Sequence, residues 1–272
     1  MSACTSQAVG YEAAENPAET RSTGRLLSLA RAELTLLGRN KSALYTSLFL
    51  PIAMAFAIKQ AVGSMNLAGT GLSVGTVMLP GTLGCVLVFA VYSNVTGAYV
   101  ARREELVLKR LRTGELRDQE ILAGTALPSV LIGLAQCALL AVLGSVALDT
   151  DLPTAPHLLI AGVLLGMVTV VGLAAATSAF ARSSEAAQLT VLPFMLLSMA
   201  GSGVMAPLDL FPEKIATILG FLPLSPAMEL IREGWTGGGD VKETLGQLIT
   251  GLAWAGLALF AVQRWFRWEP RR

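Results

Sequence analysis

The side chains best placed to do chemistry gather between residues 102 and 120. Arg103, Glu104, Lys109, Arg110 and Arg112 surround an apolar strip of Val107, Leu108 and Leu111, and Gly114 offers a stop. No His or Cys lies among them to move protons, attack a carbonyl or hold a metal, so this is not a catalytic constellation. It is the pattern of a short helix with an apolar strip and charged edges, the form that lies in a partner's groove. A plain basic loop beside a membrane span has the same composition, and the residues alone leave both readings open.

The rest of the chain offers less. Cys4, Cys85 and Cys137 are far apart and fit neither a disulfide framework nor metal-ligand spacing. The one histidine, His157, reads as a polar residue at the outer start of a span rather than a ligand. No phosphate-binding GxxxxGK[ST] loop occurs. The apolar stretches lack Asp, Glu, Lys, Arg and His at their middles, so they hold no proton relay. The chain is therefore expected to have no enzymatic activity and no metal, and to draw its energy from another polypeptide. Its basic residues flank apolar segments instead of forming a separate domain, which argues against nucleic acid. A mostly apolar substrate path with a few polar groups would draw on Asn94, Thr96, Gln136, Met195 and Met199. Thioethers suit adaptable contact, although the same residues serve equally well to bond helices and fill gaps.

The elements that must position these groups are set by lipid. Of the residues, 53% are hydrophobic and only 14% charged, against about 25% charged in soluble domains. Stretches near 43–62, 76–100, 120–148, 158–180, 187–207 and 245–262 are each long enough to cross a hydrocarbon core about 30 Å thick. Basic residues collect on every second gap, which places both termini in the cytoplasm. The net charge of +1 matters less than this sorting. Pro51, Pro80, Pro128 and Pro193 are expected to kink their helices, and Gly162 with Gly166 forms a GxxxG packing pair. Residues 1–24 read as a disordered cytoplasmic tail without the apolar run of a signal peptide. Residues 25–40 carry Leu27, Ala30, Leu34 and Leu37 on one face, an amphipathic helix suited to the inner interface. The expected fold is all-α and integral to the membrane: an interfacial helix, then about six spans over residues 25–272.

Residues 108–112 (Leu-Lys-Arg-Leu-Arg) followed by 120–124 (Glu-Ile-Leu-Ala-Gly) resemble the coupling-helix signature of type 2 ATP-binding-cassette (ABC) exporter permeases. That class includes bacterial drug and antibiotic efflux permeases of the daunorubicin-resistance-like kind. Glu104 matches the family's acidic position just upstream. Residues 202–207 (Ser-Gly-Val-Met-Ala-Pro) and 222–226 (Leu-Pro-Leu-Ser-Pro), with Glu229 and Arg232, resemble its outer segment before the last span. The sequence departs at Leu106-Val107, where many members have Gly-Thr, and at Glu115, where many have Pro.

The resemblance implies short re-entrant helices before the last span and a permease in the inner (plasma) membrane. It implies two partners: an ABC ATPase subunit, which would bind ATP and Mg²⁺, and a second permease copy in a dimer. Residues 103–113 and the 25–40 helix would carry the ATPase's motion to the spans. Membrane lipid surrounds such a protein, and its cargo would be a hydrophobic drug-like or lipid-like compound moved out of the cell. A lipid-linked glycan permease and a non-transporting resistance or sensing subunit are the alternatives. The 6% aromatic content speaks against the aromatic rows found in glycan permeases.

Overall fold

The computed structural model describes residues 74–113, 117–147, 152–205, 208, 211–237, 239–266 and 268–269, with Arg31, Thr35, Ala53 and Gln60 as isolated positions. Every regular element among them is helical, as hydrocarbon demands, because a helix satisfies its own backbone polar groups. Helix α1 (Val74–Cys85) runs straight into a π-helical stretch (Val86–Ser93) and then α2 (Asn94–Glu104). The short α3 (Val107–Arg112) leads to α4 (Asp118–Ala147) and α5 (Pro156–Ser178). Then come α6 (Ser184–Thr190), α7 (Leu192–Gly201), α8 (Glu213–Gly220), α9 (Ser225–Thr236) and α10 (Val241–Trp265).

Four helices are long and apolar enough to cross a membrane: Val77–Glu104, Asp118–Val142, Pro156–Ser178 and Val241–Trp265. Helices α8 and α9 meet at 108° and add a fifth only if counted as one broken span. Of the six expected spans, four are present among the described residues, together with the bent pair. The expected tail and first span lie outside those residues, save Ala53 and Gln60, both helical. Of the expected amphipathic helix only Arg31 and Thr35 are described; both are helical and exposed, and Thr35 Oγ1 donates to the Arg31 carbonyl at 2.7 Å. The expected fifth span, 187–207, is not one helix. It breaks at Val191 into α6 and α7, where Pro193 has no N–H to give the preceding turn. Pro80 and Pro128, by contrast, sit inside helices that continue past them.

The Val77–Glu104 helix is the most enclosed span, with 72% of its apolar window buried, and α10 the least, with 17%. Ile160, Leu164 and Val168 leave an apolar stripe of α5 exposed at four-residue spacing. Such stripes suit contact with lipid or with another helix bundle.

Small residues on α5 decide what packs around it. A Cβ added at Gly162 would lie 2.8 Å from the Ala227 carbonyl oxygen and 2.9 Å from the Ile231 nitrogen. Gly166 lies against Leu87 and Ala227, and Gly172 faces Ala258 of α10. The GxxxG pair is therefore the seat on which α9 rests. Met228, Leu230 and Ile231 of α9 are fully buried, while α8 has no buried residue. One leg of the bent pair enters the bundle against α1, α5 and α10, and the other stays at its edge. A bend of this size fits either one broken span or a re-entrant loop.

A polar clamp holds this insertion. Arg232 of α9 donates to Glu229 Oε1 at 2.7 Å and to the Gly203 carbonyl at 2.9 Å. Gly203 has φ +72°, a conformation that glycine adopts without the Cβ penalty. The two stretches singled out by sequence, around residues 203 and 229, are thus joined by one buried guanidinium.

Candidate functional site

The last turns of α2 and α10 are basic, with Arg102 and Arg103 on one and Arg264 on the other, and the short α3 packs against α2 and α4. The sequence suggests a single helix over 103–113. The structure divides it: α2 ends at Glu104, and α3 starts at Val107 after a sharp reversal at Leu106. Leu106 has φ 59° and ψ 14°, a left-handed conformation that costs a branched side chain about 1 kcal/mol or more. This is the position where many members of the resembling family carry glycine. Leu106→Gly is expected to raise thermal stability by roughly 0.5–1 kcal/mol, relief of strain outweighing the added chain entropy. A lower melting temperature for this variant would mean that the turn is not held as described.

Arg103 and Glu104 both bond to other parts of the chain, Arg103 from a buried position and Glu104 from an exposed one. Arg103 is buried; its guanidinium donates to the carbonyls of Ser178 at 2.9 Å and Ala181 at 2.5 Å. Ser178 ends α5, where unsatisfied acceptors and the helix dipole favour a cation, and Ala181 lies in the loop just after it. Glu104 reaches the next turn of the same loop. Its carboxylate accepts the Ser184 N–H at 3.0 Å and the Ser184 hydroxyl. Ser183 completes the cap by accepting the Ala186 N–H at 3.1 Å. Adjacent residues at the end of α2 thus grip the α5–α6 loop, one as cation and one as anion.

The apolar strip of α3 is also turned inward. Leu108 is fully buried, and Val107 and Leu111 are half-buried. What α3 leaves exposed is charged: Lys109, Arg110 and Arg112. Burial of the strip fixes α3 rigidly to the bundle, and the surface it offers is electrostatic.

The segment after α10 meets that surface, and sequence reasoning missed this. Lys109 pairs with Glu269 at 2.8 Å, and Arg112 pairs with Asp118 at 3.1 Å. The Arg112 guanidinium lies 4.8 Å from the Trp268 ring centroid, within cation–π range. Trp268 meets Phe266 edge-on at 5.0 Å, and Phe266 meets Tyr99 of α2 at 5.8 Å. Trp268 thereby joins the last span to α3. The aromatic run after Arg264 was the only available signal, and it does not say which way the chain turns.

The five suggested path residues lie on three helices, Asn94 and Thr96 on α2, Gln136 on α4, and Met195 and Met199 on α7. Thr96 is buried and bonds the Tyr92 carbonyl at 2.8 Å, while Asn94 is exposed and bonds the Ala90 carbonyl at 3.0 Å. Gln136 and Met195 are buried in different helices, and Met199 is half-buried against the core. None of them lines the cavity of about 510 Å³ bounded by α2, α4, α5 and α10. Among the described residues no three His, Cys, Asp or Glu side chains meet in a metal-binding group.

The family model described as "ABC-2 type transporter" matches residues 25–235. No curated protein matches the chain.

Proposed function

The chain belongs to the ABC-2 type transporter family, and from that premise we propose that it exports a hydrophobic compound from the cell. Membership makes it a multi-pass membrane protein and the permease component of an ABC transporter, with an ABC ATPase as partner. Outward direction, a drug-like or lipid-like cargo, a homodimer and a role in drug resistance extend that statement. So do the plasma-membrane location, with basic helix ends and both termini in the cytoplasm, and the holding of ATP and Mg²⁺ by the ATPase.

The observation that carries the reading is the rigid, charged ledge formed by α3. Two grips from α2, on the α5 end and the α6 start, tie this ledge to the spans. A push on Lys109, Arg110 and Arg112 therefore reaches α2, α5 and α6 together. ATP binding in the partner would bias the two arrangements of a permease dimer through that push. The mostly apolar spans, without charge at their middles, favour a hydrophobic cargo over a sugar or peptide. Asn94, with its exposed amide, is the suggested path residue best placed to face a second copy or the cargo.

The test is recovery of an ATPase subunit with the tagged permease after gentle solubilisation. Arg110→Glu reverses an exposed charge on the ledge without touching the two grips. Recovery is expected to fall about tenfold, since like charges set face to face cost several kcal/mol, while thermal stability stays unchanged. A permease that recovers no ATPase even as wild type would sink the proposal. Undiminished recovery with Arg110→Glu would move the docking surface away from α3.

A further inference from the structure

We propose that the cavity between α2, α4, α5 and α10 binds one hydrophobic molecule of drug size with an uncharged hydrogen-bonding end, admitted sideways from the membrane. The inference rests on the permease reading and names where and in what chemical form the cargo is first held. The volume of about 510 Å³ lies within the roughly 300–1,000 Å³ of small-molecule sites. Its walls are apolar: Ala126, Val130, Met167 and Val171 on one side, Leu259 and Val262 on the other. Gln119, Gln263 and Tyr99 supply its polar lining at the basic end, and no lining residue carries a charge.

That lining selects by desolvation. A carboxylate or ammonium brought in would lose its hydration without gaining a countercharge. A hydroxyl or amide could exchange bonds with the two glutamine side chains. Tyr99 is already engaged, its hydroxyl donating to the Leu122 carbonyl at 3.0 Å, so it shapes the site rather than offering its proton. The cavity therefore distinguishes an uncharged polar end from a charged one.

The direction of access follows from how its walls pack against one another. At the basic end Phe266 lies edge-on to Tyr99, backed by Trp268. Tyr99, which lines the cavity at this end, is thus backed by an aromatic cluster on the α3 side. The lateral wall is α10, the least enclosed span, and both Leu259 on α10 and Val168 on α5 are about half exposed. Helices α5 and α10 are in close contact, whereas α4 and α10 pack little against each other, so a molecule dissolved in the surrounding hydrocarbon reaches the cavity between α4 and α10. Met167 within the wall gives the adaptable contact that a range of apolar shapes requires.

The experiment uses the full chain in nanodiscs of neutral phospholipid and a diazirine-bearing long-chain fatty alcohol as the probe. After irradiation, labelled peptides are mapped by mass spectrometry. Saturable labelling is expected in α4 near Ala123–Leu127 and in α10 near Leu259–Gln263. Unlabelled long-chain alcohol should abolish it, and the matching fatty carboxylate at a pH where it is ionised should compete far less. Ala123→Trp and Leu259→Trp fill the cavity from opposite walls, and each is expected to reduce labelling to background. Two variants guard against one that fails to fold, and melting temperature identifies such a case.

Uniform, non-saturable labelling along every lipid-facing helix would overturn the proposal, as would equal competition by alcohol and carboxylate. Labelling is scored on the permease alone. Failure of the site therefore leaves ATPase recovery untouched, and failure of the transporter reading shows instead as lost recovery with labelling intact.

Discussion

Arg103→Ala is expected to destabilise the folded chain by about 3 kcal/mol, with no partner present. Two charge-assisted bonds are lost at once, to the Ser178 and Ala181 carbonyls, and each such bond contributes about 1.5–3 kcal/mol. Both residues are buried, Ser178 at the end of α5 and Ala181 in the loop after it, so water replaces the guanidinium poorly. Arg103→Lys keeps the charge but not the fork that spans two acceptors, and an intermediate loss is expected. Unfolding by detergent titration, monitored by far-UV circular dichroism, gives the comparison. If Arg103→Ala keeps wild-type stability yet loses the ATPase subunit, the arginine serves the partner surface and its inward grip is wrong. Because Arg110→Glu acts on the ledge alone, the pair of variants separates structural support from docking.

The second large effect is expected at the acidic end. Arg232→Met should cost about 3–5 kcal/mol, because removing one member of a buried pair leaves the other charge uncompensated. The pair is well enclosed: the side chains of Arg232 and Glu229 are 7% and 18% exposed. The same substitution also releases the Gly203 carbonyl, loosening the loop against which α9 is held. Adding Glu229→Gln to Arg232→Met should recover much of the loss, since replacing both charges removes the desolvation penalty along with the attraction. A double-mutant cycle in the same unfolding assay measures the coupling. A loss under about 1 kcal/mol for Arg232→Met would put the pair in the range of an exposed ion pair and remove its role as the clamp.

Both effects lie in residues that the sequence marked without naming their partners in the chain. Arg103 stood in the segment expected to touch a partner, and its type and position fitted that reading. Helical periodicity groups side chains on faces but does not say which face the bundle covers. Only packing of α2 against α5 turned Arg103 inward and left Lys109, Arg110 and Arg112 outside. Glu229 and Arg232 were marked by resemblance. Their spacing permits a pair on one helix, but nothing in it names the carbonyl of Gly203.

What the sequence by itself determined was the solvent and the sort of element. Long apolar stretches with basic flanks leave few structures besides spanning helices, because hydrocarbon satisfies no backbone group. For that reason the expected spans 76–100, 120–148, 158–180 and 245–262 fall within a few residues of helices ending at Glu104, Ala147, Ser178 and Trp265. Gly162 and Gly166 were legible as a packing face for a similar reason: lack of a side chain is itself a statement about close approach. The tertiary structure decided the rest. It broke the 187–207 stretch at Val191, sent α9 into the bundle and reversed the chain at Leu106. It also brought Trp268 and Glu269 back beneath α3. Each of these depends on contacts between residues far apart in the chain, and local composition holds no record of them.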